Sequence, residues 1–228
     1  MPLRVIAWNC RSGSLSRRLA ELAPLAPDLA FVQECRPAPG SDDLPVFGQV
    51  FAEPVDRSKS VALAGFGERY RLTRVPKPLN AGRAVIAATV EGPLSFNLLG
   101  IWAIGPRYTA DVCASLAAYD NFLHAAPTLI IGDLNCGPSL SAGDGTTTRG
   151  HAAFVKRIET LGFVSAYHAF HRVPNGAETH ASYRHRFAEH DLWHIDFCFL
   201  PASWVPRLER VDSSTPLPGA SPATTIPC

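Results

Sequence analysis

Thr128-Leu-Ile-Ile-Gly-Asp133, continued by Leu134-Asn135, is the stretch on which the fold turns. It is too apolar and too short for a surface helix, and it reads as a strand buried on both faces that ends on a carboxylate. A carboxylate at the end of a buried strand is costly unless it is paired, hydrogen-bonded or bound to metal. The same pattern recurs three times. Asn9 follows Val5-Ile-Ala-Trp8, Glu34 follows Ala30-Phe-Val-Gln33, and Asp196 sits inside Trp193-His-Ile-Asp-Phe197.

The chain between these points alternates strand and helix signals. Leu3 to Trp8 reads as a buried strand. Ser14 then precedes Leu15, Leu19 and Leu22, a helical stripe behind a plausible N-cap, with Pro24 and Pro27 to end it. Asp28 to Glu34 is the next strand, so residues 3–34 form a strand–helix–strand unit, and the Pro/Gly/Ser/Asp-rich stretch from Arg36 to Pro45 is a loop. From about residue 47 to 102, apolar runs at Ser60–Gly65, Tyr70–Val75, Arg83–Val90 and Leu94–Trp102 predict an antiparallel meander. Val112, Leu116, Tyr119 and Leu123 predict one helix over 110–123. Phe154, Ile158 and Leu161 predict another, residues 136–148 a surface loop, and His194 to Leu200 a strand. There is no internal repeat. Few helices among many short strands favour an α/β sandwich of two sheets with helices outside.

The chain has 228 residues, of which 46% are hydrophobic and 18% charged, enough for a sizeable core in one domain. Lys plus Arg is 21 against 20 for Asp plus Glu, and lysine occurs only at Lys59, Lys77 and Lys156. A net charge of +1 excludes a strongly basic coat wrapped on long duplex DNA, but not a local basic groove. Arg69, Arg71, Arg74 and Arg83 form such a patch at most modestly, and a solvated strand face is the commoner reading. No apolar run is long enough to span a bilayer, and the chain opens on a strand-like stretch instead of a leader; the expectation is a soluble, cytoplasmic protein without a protein partner. The six cysteines are widely spaced with no Cys-x-x-Cys, so a reduced compartment is expected. Cys10, Cys35 and Cys136 each follow a proposed site residue, yet strand alternation makes them small buried hydrophobes. Trp8, Trp102, Trp193 and Trp204 are read as core or rim.

Three carboxylates and two carboxamides (Glu34, Asp133, Asp196, Asn9 and Asn135) make a donor set suited to a hard cation, Mg²⁺ or Mn²⁺, with amides to orient a substrate oxygen. Any one of them alone is as readily a cap on a neighbouring turn.

Trp-Asn-Cys near the start, Gln-Glu at the end of the second strand, Gly-Asp-Leu-Asn after an apolar strand and His-Ile-Asp-Phe late in the chain, in that order over residues 5–200, resemble the endonuclease/exonuclease/phosphatase superfamily. This is the Mg²⁺-dependent phosphoesterase fold of pancreatic deoxyribonuclease, abasic-site endonucleases and neutral sphingomyelinases. The resemblance implies an α/β, four-layer sandwich of two mixed sheets with helices outside, over residues 1–210. It implies Glu34 as principal metal ligand and Asn9 touching the phosphate or supporting the metal. Asp133 would orient or deprotonate the attacking water, Asn135 would bond a phosphate oxygen, and Asp196 would pair with a catalytic histidine. Trp102 or Tyr108 stands where the family often has a tyrosine. Arg11 replaces a carboxylate many of its nucleases carry, and either meets a substrate phosphate or, on a slight preference, solvates a loop. His194, two residues before Asp196, is expected to line the cleft and touch phosphate. His180 and His185 flank a segment like a substrate-side strand of the family, and loop histidines are the better reading of both.

The family closes with Ser-Asp-His. This chain instead ends in an unpatterned tail, residues 211–228. Back-translated with GCG-ACC-ACT-ATC-CCT-TGC for Ala223 to Cys228 and CCA for Pro222, and read from the third base of each codon, the tail gives Ser-Asp-His-Tyr-Pro-Leu. The synonymous codons are chosen, but the first two bases of every codon are fixed. A frameshift near Arg210 to Val211 is therefore the favoured reading over a tail that diverged freely. Loss of a general acid–base histidine costs roughly 10²–10⁴ in rate. Two functions remain open: a metal-dependent hydrolase of phosphoesters, with a nucleic acid strand, a nucleotide or a phosphomonoester as substrate, or an inactive relic or binding protein on the same fold.

Overall fold

The computed structural model describes residues 1–36, 48–105, 107–137, 146–184 and 192–213. The chain runs β1 (Val5–Asn9), α1 (Leu15–Leu22), β2 (Leu29–Cys35), β3 (Val50–Pro54), β4 (Ser60–Gly65), β5 (Arg71–Val75), β6 (Val85–Glu91) and β7 (Phe96–Ile101). It continues through α2 (Tyr108–Ala118), α3 (Asp120–Ala125), β8 (Thr128–Asp133), α4 (Thr146–Thr160), β9 (Phe163–Ser165) and α5 (Ala166–His171). The last strands are β10 (Tyr183–Arg184), β11 (Leu192–Trp193) and β12 (Asp196–Pro201). No helix among the described residues is long and apolar enough to cross a membrane.

Two mixed sheets carry the fold, one ordered β1-β2-β4-β3 and the other β5-β6-β7-β8-β12-β9, and β10 with β11 form a separate hairpin. Strand alternation sorts the apolar residues into three cores. Val5, Ala7, Leu29, Phe31, Val61 and Leu63 of the first sheet meet Ile86, Ala88, Leu98, Leu129 and Ile131 of the second. Ile6, Trp8, Ala30, Val32 and Ala62 face the other way, under Leu15, Leu19 and Leu22 of α1. On the outer face of the second sheet, Ala87, Leu99, Ile130 and Phe197 are covered by Val112, Leu116, Leu123, Phe154 and Ile158 from α2, α3 and α4. Helix, sheet, sheet and helices make four layers, as expected, and the central strands of both sheets are buried on both faces, which is why those strands read as unbroken apolar runs, unlike the edge strands β3 and β5.

Three expectations are corrected. The five strands between residues 50 and 101 are not one meander: β3 and β4 join the first sheet, where β4 pairs antiparallel with β2, and only β5-β6-β7 run on as a meander in the second. Apolar runs state that a strand is buried, not which strand it pairs with. The helix over 110–123 is two helices, broken at Tyr119 (φ −104°, ψ 17°), although the stripe Val112, Leu116 and Leu123 is buried as its spacing requires. The late strand begins at Asp196, so His194 and Ile195 precede it. The expected loops over 36–45 and 136–148 fall mostly outside the described residues, and α4 begins at Thr146, inside the second of them.

Cys10, Cys35 and Cys136 are buried free thiols, Cys113 is half-buried and free, and Cys198 is buried. Burial pushes the Cys10 thiol up to about 11. Arg69 is bound to Asp28, and Arg74 to Glu53, so two members of the arginine patch are already paired.

Candidate active site

Topology brings the polar strand ends together. β1 and β2 are parallel, with Asn9 level with Gln33, so Asn9 and Glu34 emerge at the same end of the first sheet. In the second sheet β8 and β12 are antiparallel, and Asp133 at the end of one is level with Asp196 at the start of the other. β1 packs across the sandwich on β8. The two sheets thus deliver their polar ends to one edge of the interface between them.

Local backbone geometry aims these side chains. The pairing of β2 with β4 slips between Gln33 and Cys35, leaving Glu34 as a bulge residue with φ 60°. Bulges of this kind re-aim one side chain out of the alternation. Asn135 (φ 47°) and Arg11 (φ 54°) are also left-handed. Non-glycine residues in this region cost of order 1 kcal/mol or more each, and three of them stand around these carboxylates.

Asn9 is the organiser. Its Nδ2 donates to Glu34 Oε1 at 2.9 Å and to Asp133 Oδ2 at 2.8 Å, while its Oδ1 accepts the Arg11 N–H at 3.0 Å. Of the two roles expected for Asn9, this geometry suits support of the carboxylates, because the amide protons are already committed to them. Asp133 Oδ1 accepts the Asn135 N–H at 2.9 Å, and Asn135 Nδ2 donates to the Ala103 carbonyl at 3.0 Å. The outer oxygen of Glu34, Oε2, holds Lys59 Nζ at 2.6 Å.

Asp133 and Asp196 are 3% and 5% exposed. Burial pushes the Asp133 carboxyl up, with the Asn9 and Asn135 hydrogen bonds working against it and Glu34 adding to it. Burial, and then the adjacent Asp133, push Asp196 well above the ordinary carboxylate range. The Ser182 hydroxyl accepts the N–H groups of Ile195 and Asp196, both at 2.9 Å, and fixes the backbone there. The nearby Ser182 hydroxyl works against that rise, yet neither carboxylate oxygen of Asp196 is in good hydrogen-bond geometry with a partner among the described residues. Two buried carboxylates side by side, one without a well-placed donor there, form a site that calls for added positive charge.

The donors fit a hard cation in one form. No group of three or more His, Cys, Asp or Glu side chains converges on a single point among the described residues. Mg²⁺, however, is commonly bound through one or two carboxylates and keeps several waters, and Glu34, held by Asn9, is a carboxylate that could hold it in this way.

The other expected residues divide. Arg11 lies over the Tyr183 ring at 4.8 Å and its charge works to lower Asp133, so it faces the site and is not a bare loop solvator. Trp102 is 6% exposed and lies under the Lys59 ammonium at 5.3 Å, whereas Tyr108 packs at the start of α2 against the outer core. His194 is buried as deeply as the two aspartates: its ring is 4% exposed, packed on Tyr167 and Phe197, and its Nδ1 donates to the His180 carbonyl at 3.1 Å. His180 binds the Tyr167 hydroxyl at 2.9 Å, and His185 lies outside the described residues. Sequence reasoning missed Lys59 as a site residue, and it placed Ser182 in a family-like segment without foreseeing its bonds to the Ile195 and Asp196 backbone. Neither contact carries a signal in the sequence, since each forms only through tertiary pairing.

No family model and no curated protein matches the chain by sequence. Solved structures do. An AP endonuclease from Archaeoglobus fulgidus superposes with a TM-score of 0.69 at 14% identity, covering 99% of this chain and 97% of that one. The 3′ phosphatase NExo from Neisseria, bound to a product DNA hairpin, gives 0.69 at 18% identity, covering 99% and 98%. The endonuclease domain of TRAS1, a telomere-specific non-LTR retrotransposon, gives 0.67 at 15% identity over 99% and 98%. At these identities the likeness is one of fold.

Proposed function

We propose, for a chain that has the fold of the endonuclease/exonuclease/phosphatase superfamily, that it is a divalent-metal-dependent hydrolase of phosphoesters acting on nucleic acid. The observation that carries this reading is the double hydrogen bond from Asn9 to Glu34 and Asp133, which ties a metal-anchoring carboxylate to a buried carboxylate in the opposite sheet. Bound at Glu34, Mg²⁺ or Mn²⁺ supplies charge stabilisation at the phosphate and the leaving oxygen. Asp133, held by Asn9 and the Asn135 N–H, orients the attacking water and takes its proton. The second Nδ2 hydrogen of Asn135 is available to a phosphate oxygen, and Arg11 meets the phosphate from the Tyr183 side. Asp196 orients a proton donor.

That donor is what the described residues lack. The shifted reading of the tail supplies one, the histidine of Ser-Asp-His-Tyr-Pro-Leu, and the unpartnered carboxylate of Asp196 supports a frameshift in residues 211–228. Val211 and Ser213 are buried, and the His171 ring donates to the Val211 carbonyl at 3.1 Å, so the chain is still packed at the start of the tail.

A labelled oligonucleotide and a generic aryl phosphodiester, each assayed with and without Mg²⁺ or Mn²⁺, test the reading. Hydrolysis should fall at least about 10²-fold in Glu34→Gln. The same bare Asp196 also favours a second reading, an inactive relic. Absence of hydrolysis with every divalent cation, both in this chain and in one carrying the shifted frame, would establish the relic. Sequencing the gene from Leu208 onward decides the tail, because an intact frame with no Ser-Asp-His removes the frameshift.

A further inference from the structure

Both oxygens of Glu34 are occupied before any metal arrives. Oε1 accepts from Asn9, and Oε2 accepts from the Lys59 ammonium at 2.6 Å. Lys59 is delivered there by a rigid connection. It ends the turn between β3 and β4, where Asp56 Oδ1 accepts the N–H groups of Ser58 and Lys59 at 2.7 and 2.9 Å, and the Lys59 carbonyl accepts the Val55 N–H at 2.9 Å. The next residue, Ser60, is level with Cys35 and donates to its carbonyl at 3.0 Å. The bulge that aims Glu34 and the turn that aims Lys59 are therefore locked to each other by one pair of neighbours.

The ion pair has no evident purpose as a stabiliser. The Lys59 side chain is 39% and Glu34 19% exposed, a setting in which ion pairs contribute little. It does place a unit positive charge on the free lone pairs of the carboxylate that the proposed function assigns to the metal. The same ammonium lies 5.3 Å from the centre of the Trp102 ring, so the ring face shares it with the carboxylate.

We propose that Lys59 is the built-in counter-ion of Glu34, which the divalent cation must displace, so that Lys59 sets how tightly the site holds metal. This rests on the reading of Glu34 as metal anchor. A cation entering at Oε2 displaces the ammonium from the carboxylate, and metal affinity in the absence of substrate is held down by the contact that is lost.

Mn²⁺ titration calorimetry at low ionic strength tests this on the full chain. Lys59→Gln should bind Mn²⁺ about tenfold more tightly than the parent, from removal of one nearby like charge, and the difference should shrink at high salt. Lys59→Arg should stay near the parent. A merely structural lysine would weaken binding or leave it unchanged when replaced, and either result with Lys59→Gln overturns the proposal. With only three lysines in the chain, ¹³C-lysine NMR supplies a second readout. Mg²⁺ should shift the Lys59 side-chain resonance in the parent but not in Glu34→Gln, with Lys77 and Lys156 as internal controls. Mn²⁺ binding that Glu34→Gln abolishes but Lys59→Gln leaves unchanged rejects the role of Lys59 and keeps the metal site. No binding in the parent or in Lys59→Gln rejects both.

Discussion

At His194, burial carries a proton-linked cost. Desolvation takes the ring from 6.5 down to about 4, despite the hydrogen bond to the His180 carbonyl. Its Nε2 is buried without a partner among the described residues, so a second ring proton would have no acceptor there. A folded value below the unfolded one means that the unfolded chain binds more protons between those two values. Stability contributed by the neutral ring is complete above pH 6.5 and is lost as pH falls towards 4. The slope of 1.36 kcal/mol per unit gives a loss of about 2 kcal/mol between pH 6.5 and 5. Urea unfolding at these two pH values should show that loss in the parent and a clearly smaller one in His194→Gln; equal losses would reject the assignment. Glu178 adds a second window. Burial works to raise its carboxyl, but the His168 ring at 2.8 Å and the Gly176 N–H at 2.9 Å hold it down to about 2. Its contribution is complete above pH 4.5 and disappears as pH falls towards 2.

Among the elements, β7 and β8 each carry a glycine where a side chain has no room, Gly132 against the backbone of the neighbouring strand and Gly100 against a ring of the opposite sheet. A Cβ on Gly132 would lie 2.0 Å from the Ile101 carbonyl oxygen, at φ 139°, and one on Gly100 would lie 2.5 Å from the Phe31 ring. Backbone cannot yield as a ring can. Gly132→Ala should therefore cost more than about 2 kcal/mol, and Gly100→Ala less. Combining each with Phe31→Leu should rescue Gly100→Ala but not Gly132→Ala, a double-mutant cycle read by thermal or urea unfolding. Rescue of both would place the ring, not the backbone, at the centre of the strain. The same strands show how far the sequence is legible. β8 runs from Thr128 to Asp133 as its apolar run implies, because burial on both faces leaves no ambiguity of composition. The polar ends Asn9, Glu34, Asp133 and Asp196 stand out because such residues are costly at the ends of buried strands. Illegible were the features that depend on pairing at long range. They include the division of residues 50–101 between two sheets, the bulge that turns Glu34 to φ 60°, and the seating of Lys59 on a carboxylate 25 residues away. The sealing of His194 depends on Tyr167 and Phe197 closing over it, which a strand pattern around Asp196 does not reveal.

For the whole molecule, charge decides how a nucleic acid would be held. The net charge is +1, and much of the positive charge is already spent internally: Arg69 on Asp28, Arg74 and Lys77 on Glu53, Arg17 and Arg18 on Glu21. Beside the carboxylates the described residues place Arg11, and also Lys59 once its partner Glu34 is replaced by Gln, which makes about two phosphate contacts the natural number in that variant. Binding of a single strand that neutralises two phosphates has a log–log salt slope of about −1.4, so raising salt from 50 to 200 mM should weaken it only about sevenfold. A protein gripping six to ten phosphates loses about 10³–10⁵ over the same range. Fluorescence anisotropy of a short labelled oligonucleotide, with Glu34→Gln to prevent turnover, distinguishes the two directly. A shallow slope would mean that local contacts at the strand ends hold the substrate, and specificity should then follow the reacting phosphate and its immediate neighbours. A steep slope would require a basic surface outside the described residues and would overturn the expectation that Arg11, with Lys59 released from Glu34, supplies the phosphate-facing charge.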